Sequence, residues 1–243
     1  MFRKIMKWEL SNITRFPILE IFVFLLVFNV FSLITGAGGG SSGTLQSWNT
    51  IATKVSENFL RESVSYSIQV FLPLGLFASI FASLSFAYEM EKGTTKLYLS
   101  HPIDRTTLFT AKVFSLFLVL FSVIIYSVLL RTFFFDPSLF NYILTNDRIL
   151  QLLLICFLNV LFVLSITVFI SVLTKNTAFS FVGSFFIIYV LTLIRSNYVP
   201  PRFFFTLNDH LNKGLYISDL GVPLISVLLL LFSYYLFKRG EFP

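Results

Sequence analysis

The chain has 243 residues, of which 56% are hydrophobic and 12% charged, and it carries a formal net charge of +6. Soluble domains carry about 25% charged residues, so this composition excludes an ordinary water-soluble enzyme or nucleic-acid-binding domain. The single cysteine, Cys156, lies inside an apolar run, which excludes a disulfide framework and a cysteine-rich metal site. The sequence therefore predicts an integral membrane protein.

The first predicted element is a short amphipathic helix that precedes the first apolar run. Phe2, Ile5, Met6, Glu9 and Ile13 fall near one helical face, and basic residues surround them. This pattern is typical of a helix that lies in the membrane interface. The alternative is a frayed basic anchor.

Six apolar runs are interpreted as membrane-spanning segments, because a bilayer core of about 30 Å needs roughly 20 apolar helical residues. They are Pro17–Thr35, Ser67–Ala87, Ala111–Leu130, Ile149–Leu173, Ala178–Ile194 and Val222–Phe237. Backbone groups inside a bilayer must be hydrogen-bonded within their own segment, so these runs predict helices. The predicted fold class is an all-α integral membrane protein with six transmembrane helices in one domain, residues 1–243.

The distribution of Lys and Arg predicts that both termini face the cytosol. With the termini on one side, that side receives eleven of these residues and the opposite side receives seven. An excess of positive charge marks the cytosolic side of a membrane protein. We therefore expect a multi-pass protein of the cell membrane.

Small and polar residues inside the spans are candidates for helix packing or for a substrate path. Gly75, Ser79 and Ser83 recur every four residues in the second span, a spacing that lets two membrane helices approach closely. Asn29 and Asn159 lie deep in other spans. Each can hydrogen-bond a neighbouring helix or contact a ligand.

The loop before the last span combines prolines with a run of aromatic residues. Pro200 and Pro201 end any helix that reaches them, and the run Phe203-Phe204-Phe205 is too apolar to face water. We expect a partly re-entrant segment or a loop packed on the bundle, without a clear pair of helices.

The segment between the second and third spans concentrates turn and capping residues. Gly93 permits a sharp turn after the second span, and Thr94 or Thr95 can cap a short helix. Pro102 ends that helix. These residues predict a small, ordered cytosolic protrusion, whereas an ordinary interfacial loop would explain the caps but not their density.

This segment resembles the signature of type-2 ABC transporter permeases. The resemblance rests on Glu89-x-Glu91-x-Gly93-Thr94, a Leu-rich half-turn, Pro102-x-x-Arg105 and Lys112. Members of that family have six spans, cytosolic termini, an amphipathic N-terminal helix and an external segment before the last span. The chain is similar to them in all four respects.

The resemblance implies that the protrusion is a coupling helix, which docks on a separate ATPase subunit. The residues that it assigns to coupling are Glu89, Glu91, Gly93, Thr94, Thr95, Leu97, Pro102, Arg105 and Lys112. It implies a dimer with a second permease copy or a homologue, two ATPase subunits and a surrounding lipid membrane, with no nucleic acid. ATP and Mg²⁺ are expected in the partner subunit, and no cofactor is expected in this chain.

The sequence contains no recognisable catalytic motif. His101 and His210 fall in loops on opposite sides of the predicted membrane, and Lys92-Gly93-Thr94 is not preceded by the glycine of a phosphate-binding loop. We therefore predict a transport subunit rather than an enzyme. Export is expected, because the external loops offer no obvious dock for a binding protein. The alternatives are a non-transporting membrane anchor or assembly subunit and an intramembrane enzyme, which is disfavoured because no catalytic group has a partner in sequence.

Overall fold

The computed structural model describes residues 2–15, 19–21, 23, 70–95, 104–135, 148–194, 196–213 and 216–239. Within these ranges the regular structure is helical, with no strand. The helices are α1 (Phe2–Arg15), α2 (Phe71–Glu91), α3 (Arg105–Phe135), α4 (Arg148–Thr174), α5 (Thr177–Leu193), α6 (Phe203–Lys213) and α7 (Gly221–Arg239). A short 3₁₀-helix, Ile217–Leu220, leads into α7.

Four of the predicted spans are long and apolar enough to cross a membrane. They are Phe71–Glu91, Arg105–Leu130, Ile149–Thr174 and Ser218–Arg239. The fifth, α5, is equally apolar but has 17 residues, which is at the lower limit for a crossing. The first predicted span, 17–35, lies largely outside the described residues. The all-α class is confirmed for the described part of the chain, and the six-span topology stays a prediction.

Two helices extend beyond the apolar runs that predicted them. α2 continues to Glu91, although its apolar run ends at Ala87, and α3 begins at Arg105, ahead of Ala111. Hydropathy marks only the part of a helix that lipid can surround, whereas the backbone hydrogen bonds of a helix continue through polar residues. These polar extensions build the end of the bundle described below.

α4 occupies the centre of the described bundle. It contacts α2, α3, α5, α6 and α7, and its residues Ile155, Val160 and Val163 are completely buried. α1 packs along α3. A helix with neighbours on most of its sides is apolar around most of its circumference, which agrees with the long apolar run from which α4 was predicted. Leu150 and Leu154 remain exposed.

α2 and α5 approach closely along the small residues of α2. A Cβ atom placed on Gly75 would lie 2.5 Å from Cγ2 of Ile188 on α5, so only glycine fits there. Ser79 and Ser83 are also buried, and their hydroxyls donate to backbone carbonyls of α2 itself. The small side chains and their internal hydrogen bonds let the two backbones come together.

The region before α7 contains a helix that was not predicted. Pro200 and Pro201, joined by a cis peptide bond, precede α6, and Phe203 and Phe204 at its start are buried. α6 contacts α4. The preceding helix, α5, already ends at Leu193, before the chain reaches the prolines. The burial of aromatic rings stabilises a helix directly after them.

A buried carboxylate joins α6 to the start of α7. Oδ1 of Asp219 lies 2.7 Å from Nδ1 of His210, and Oδ2 accepts a hydrogen bond of 2.8 Å from the backbone N–H of Tyr216. His210 and Tyr216 also pack ring against ring, with centroids 4.5 Å apart. These contacts fix the chain at the end of the bundle opposite to the site described next.

Candidate functional site

Lys112 lies between two carboxylates at the end of the bundle where α2 ends and α3 begins. Its Nζ donates hydrogen bonds to Oε1 of Glu9 at 2.6 Å and to Oε1 of Glu89 at 2.8 Å. The side chains of Lys112, Glu9 and Glu89 are 2%, 3% and 14% exposed. Buried charges are costly unless they are paired, so these groups depend on one another. We call them the Glu9–Lys112–Glu89 triad.

The triad fastens α1 to the two helices that flank the predicted protrusion. Glu9 lies on the buried side of α1, together with Ile13, whereas Lys4 and Lys7 are exposed. The helix predicted from the amphipathic pattern is therefore present. Its buried face combines apolar packing on α3 with an ion pair to Lys112.

α2 changes from α-helical to π-helical geometry over Ser83–Tyr88, directly before Glu89. A π-helical turn has i→i+5 hydrogen bonds and is frequent at functional sites. Because such a turn rotates all later side chains about the helix axis, it sets the directions in which Glu89 and Glu91 point. The triad thus depends on an irregular segment of backbone.

Two further contacts extend from the triad to α5 and α7. Oε2 of Glu91 accepts hydrogen bonds from the backbone N–H and the hydroxyl of Thr177, at 2.8 and 2.7 Å. Nη1 of Arg105 donates to the backbone carbonyl of Lys238 at 3.0 Å. Glu91 thus accepts from a terminal backbone N–H of α5, and Arg105 donates to a terminal carbonyl of α7. Each charge also interacts favourably with the dipole at that end of the helix. The triad and these two contacts form the polar network.

The turn that ends α2 is closed by local hydrogen bonds. Gly93 has φ of 70°, a left-handed conformation that glycine adopts without steric cost. The hydroxyl of Thr94 donates to the carbonyl of Glu89 at 3.1 Å, and the N–H of Gly93 donates to the carbonyl of Met90 at 3.2 Å. The chain therefore leaves α2 in a defined direction.

Three aromatic rings pack against one another, and one of them lies beside the triad. The ring centroids of Phe86, Phe109 and Phe237, from α2, α3 and α7, are 5.5 to 6.1 Å apart. Nζ of Lys112 lies 5.9 Å from the centroid of Phe86. Apolar rings exclude water, and the low local dielectric strengthens the attraction between the paired charges.

The structure places most of the predicted coupling residues at this end of the bundle. Those that lie here are Glu89, Glu91, Gly93, Thr94, Thr95, Arg105 and Lys112. Leu97 and Pro102 lie outside the described residues, as does the short predicted helix beyond its capping residues Thr94 and Thr95. The packing candidates Gly75, Ser79, Ser83 and Asn159 are buried in the interior of α2 and α4, and Asn29 also lies outside the described residues.

Sequence reasoning missed three members of the polar network: Glu9, Thr177 and the carbonyl of Lys238. A signal existed for Glu9, because a carboxylate on the apolar face of an amphipathic helix requires a buried partner. Lys112, at the start of a predicted span, is an obvious cation for it. No sequence pattern points to Thr177 or to Lys238, since only the packing of α5 and α7 brings them there.

No metal site is formed by the part of the chain that the structure describes, where no three His, Cys, Asp or Glu side chains come together. Within the triad, the ammonium group of Lys112 takes the position between carboxylates that a metal ion could otherwise occupy. The arrangement is suited to holding helices in fixed relation to one another.

The left-handed turn gives a test of local geometry. Replacing Gly93 with Val is expected to lower the free energy of unfolding by about 1–2 kcal/mol, because a β-branched residue is strained at positive φ. Gly93→Asn should lose clearly less, since Asn tolerates this conformation. Chemical denaturation of the purified chain measures both, and equal losses for Val and Asn would contradict the left-handed turn.

Comparison with known proteins supplies a family. The sequence matches the family model described as "ABC-2 family transporter protein" over residues 3–210, from α1 into α6. No curated protein matches the sequence.

Proposed function

The chain belongs to the ABC-2 family of transporter proteins, and from this premise we propose that it is the permease subunit of an ATP-driven ABC transporter. Both termini lie in the cytosol in this proposal, and residues 89–102 couple the subunit to an ATPase. The observation that carries the proposal is the polar network, which fastens α1, α2, α3, α5 and α7 to one another on either side of residues 96–103.

The network offers a route for motion from the coupling segment into the bundle. A push on residues 96–103 displaces the end of α2 and the start of α3. Glu89 then acts on α1 through Lys112, and Glu91 acts on α5 through Thr177. Arg105 acts on α7 through the carbonyl of Lys238. Packed helices that are tied at one end move together by small sliding displacements.

In this proposal, α2 bends at the π-helical segment Ser83–Tyr88. Bends in long helices concentrate at π-bulges, where the regular ladder of hydrogen bonds is interrupted. On the N-terminal side of this segment, α2 is held to α5 by the close contact at Gly75. Motion that enters at Glu89 therefore reaches the contact between α2 and α5.

The energy source in this proposal is an ATPase subunit that binds ATP and Mg²⁺. The 243 residues contain no Gly-x-x-x-x-Gly-Lys-Ser/Thr sequence, the loop that cradles phosphates in such ATPases. The functional unit is a dimer of permeases, of two copies or of this chain with a homologue, bound to two ATPase subunits. We extend the proposal to export.

The orientation gives a second prediction. In a Cys156→Ser background, cysteines at positions 43 and 208 should react with a membrane-impermeant maleimide added to intact cells. Cysteines at positions 96 and 175 should react only after the cells are opened. The reason is the excess of Lys and Arg on the side of the termini. Labelling of position 96 from outside would overturn the orientation.

The coupling role is tested by recovery of the ATPase. Leu97→Asp is expected to lower the ATPase that co-purifies with the tagged chain by at least about tenfold, because it places an unpaired charge in an apolar docking contact. The ATPase is identified as a chain with a phosphate-binding loop, and nucleotide-stimulated transport in vesicles is measured in parallel.

Tyr198→Asp is the matched control, because Tyr198 is 73% exposed at the opposite end of the bundle. It should leave ATPase recovery unchanged. Full recovery and full transport with Leu97→Asp would overturn the coupling assignment. Recovery of a soluble partner without a nucleotide site would favour the membrane-anchor function instead.

A further inference from the structure

A cavity of about 620 Å³ opens between α1 and the second half of α2. Its apolar wall includes Ile13, Phe81 and Leu84. Phe81 and Leu84 precede Glu89 on α2 by one to two turns, so this wall runs along the span toward its apolar interior. The volume lies within the range of about 300–1,000 Å³ that is usual for small-molecule sites.

The other end of the cavity is polar and incompletely satisfied. It is lined by Glu9, Ser85 and Glu89. The hydroxyl oxygen of Ser85 and Oε2 of Glu89 are buried and form no hydrogen bond with any residue in the described ranges. Ser85 is 8% exposed. Buried polar atoms in native proteins are nearly always hydrogen-bonded, so this end of the cavity is suited to a hydrogen-bond donor.

The charge of the triad favours a cation at this end. Lys112 balances one of the two carboxylates, so the triad carries one net negative charge when all three groups are ionised. Lys112 donates to the Oε1 atoms of Glu9 and Glu89, which leaves Oε2 of the cavity-lining Glu89 without a donor. A positively charged donor would hydrogen-bond to Oε2 of Glu89 and also balance the net negative charge of the triad.

Aromatic residues flank the same cavity. Trp8 and Tyr88 line it and are 41% and 44% exposed. Rings of this kind attract ammonium groups through their faces, and Trp is the best of them. Amphipathic Trp and Tyr side chains also suit the boundary between lipid and water.

We propose that this cavity binds an amphiphile with an ammonium head group and an apolar tail. The head group donates to Oε2 of Glu89 and to the hydroxyl of Ser85, and the tail lies along Phe81 and Leu84. A lipid with an amine head group and a transported amphiphilic amine share this chemistry. The site shares Glu89 with the polar network, but binding requires no ATPase, so it can be measured separately from coupling.

The experiment measures binding through the fluorescence of Trp8. Trp48→Phe leaves Trp8 as the remaining tryptophan, since the chain has two. The full chain, in nanodiscs of phosphatidylcholine, is titrated with dodecylamine and with the uncharged dodecanol. Dodecylamine is expected to bind saturably and about tenfold more tightly than dodecanol, because hydrogen bonds to an ionised partner are about twice as strong as neutral ones.

Two variants and a matched control identify the head-group site. Glu89→Gln should abolish the preference for the amine, and Ser85→Ala should reduce it about threefold to fivefold. Asp104→Asn should keep the full preference, because Asp104 is exposed and does not line the cavity. Protection of the buried Cys156 from maleimide confirms that each variant is folded.

Three results decide the proposal. Equal affinity for the amine and the alcohol in the parent chain would overturn it, as would an unchanged preference in both Glu89→Gln and Ser85→Ala. If the preference depends on Glu89, repetition in nanodiscs that contain phosphatidylethanolamine assigns the source. Competition by this lipid identifies a lipid site, and unchanged dodecylamine binding identifies a site for a free amphiphilic amine. Because no ATPase is present, failure here leaves the coupling test unaffected.

Discussion

Replacing Lys112 with Met is expected to lower the free energy of unfolding by about 3–5 kcal/mol, because it leaves two buried carboxylates without their cation. Methionine has nearly the length of lysine, so loss of packing contributes little. Unfolding is followed by the reaction of a fluorogenic maleimide with Cys156, which is the one cysteine of the chain and is 1% exposed. The denaturation midpoint should fall sharply.

A matched control and a rescue variant separate the effect of the lost charge from the effect of the changed side-chain shape. Lys92→Met removes an exposed lysine close to the same turn and should change stability by no more than about 0.5 kcal/mol. The triple variant Glu9→Gln, Glu89→Gln, Lys112→Met removes all three charges, so it should regain most of the lost stability. Unchanged stability in Lys112→Met alone would show that the triad does not hold α1 on the bundle.

Replacing Gly75 with Ala is expected to destabilise the chain by about 1–3 kcal/mol, although Ala is the better helix former. The new Cβ would lie 2.5 Å from Cγ2 of Ile188, so α2 and α5 must move apart. In the double variant with Ile188→Ala the clashing methyl is absent. The loss should therefore be smaller than the sum of the two single losses by about 0.5–3 kcal/mol. The same Cys156 assay measures all three variants.

Gly183→Ala provides the internal comparison for Gly75. Its Cβ would meet Cγ2 of Ile170 at 3.5 Å, an ordinary contact. Stability should stay level or rise by up to about 1 kcal/mol through the better helix propensity of Ala. If Gly75→Ala changes stability by no more than Gly183→Ala does, the result would contradict the close approach of α2 and α5.

The sequence by itself determined the features that depend on local physics. Membrane location and helical class follow from long apolar runs, because a bilayer requires each segment to satisfy its own backbone. The turn at Gly93 and the small residues around Gly75 were also recognised. A glycine after a span indicates a turn, and small residues spaced every four positions indicate a close helix contact, so both signals lie within a few neighbouring residues. The family resemblance, carried by Glu89 through Lys112, agrees with the match over residues 3–210.

The tertiary structure alone decided how these elements meet. Glu9 and Lys112 are 103 residues apart in sequence, and only the packing of α1 on α3 brings their charges together. The π-helical segment of α2 and the helix α6 likewise had no counterpart in the sequence patterns and became visible only in the structure. Patterns of hydropathy and capping carry information over a few turns of helix, whereas a buried ion pair depends on which faces the whole bundle places opposite one another.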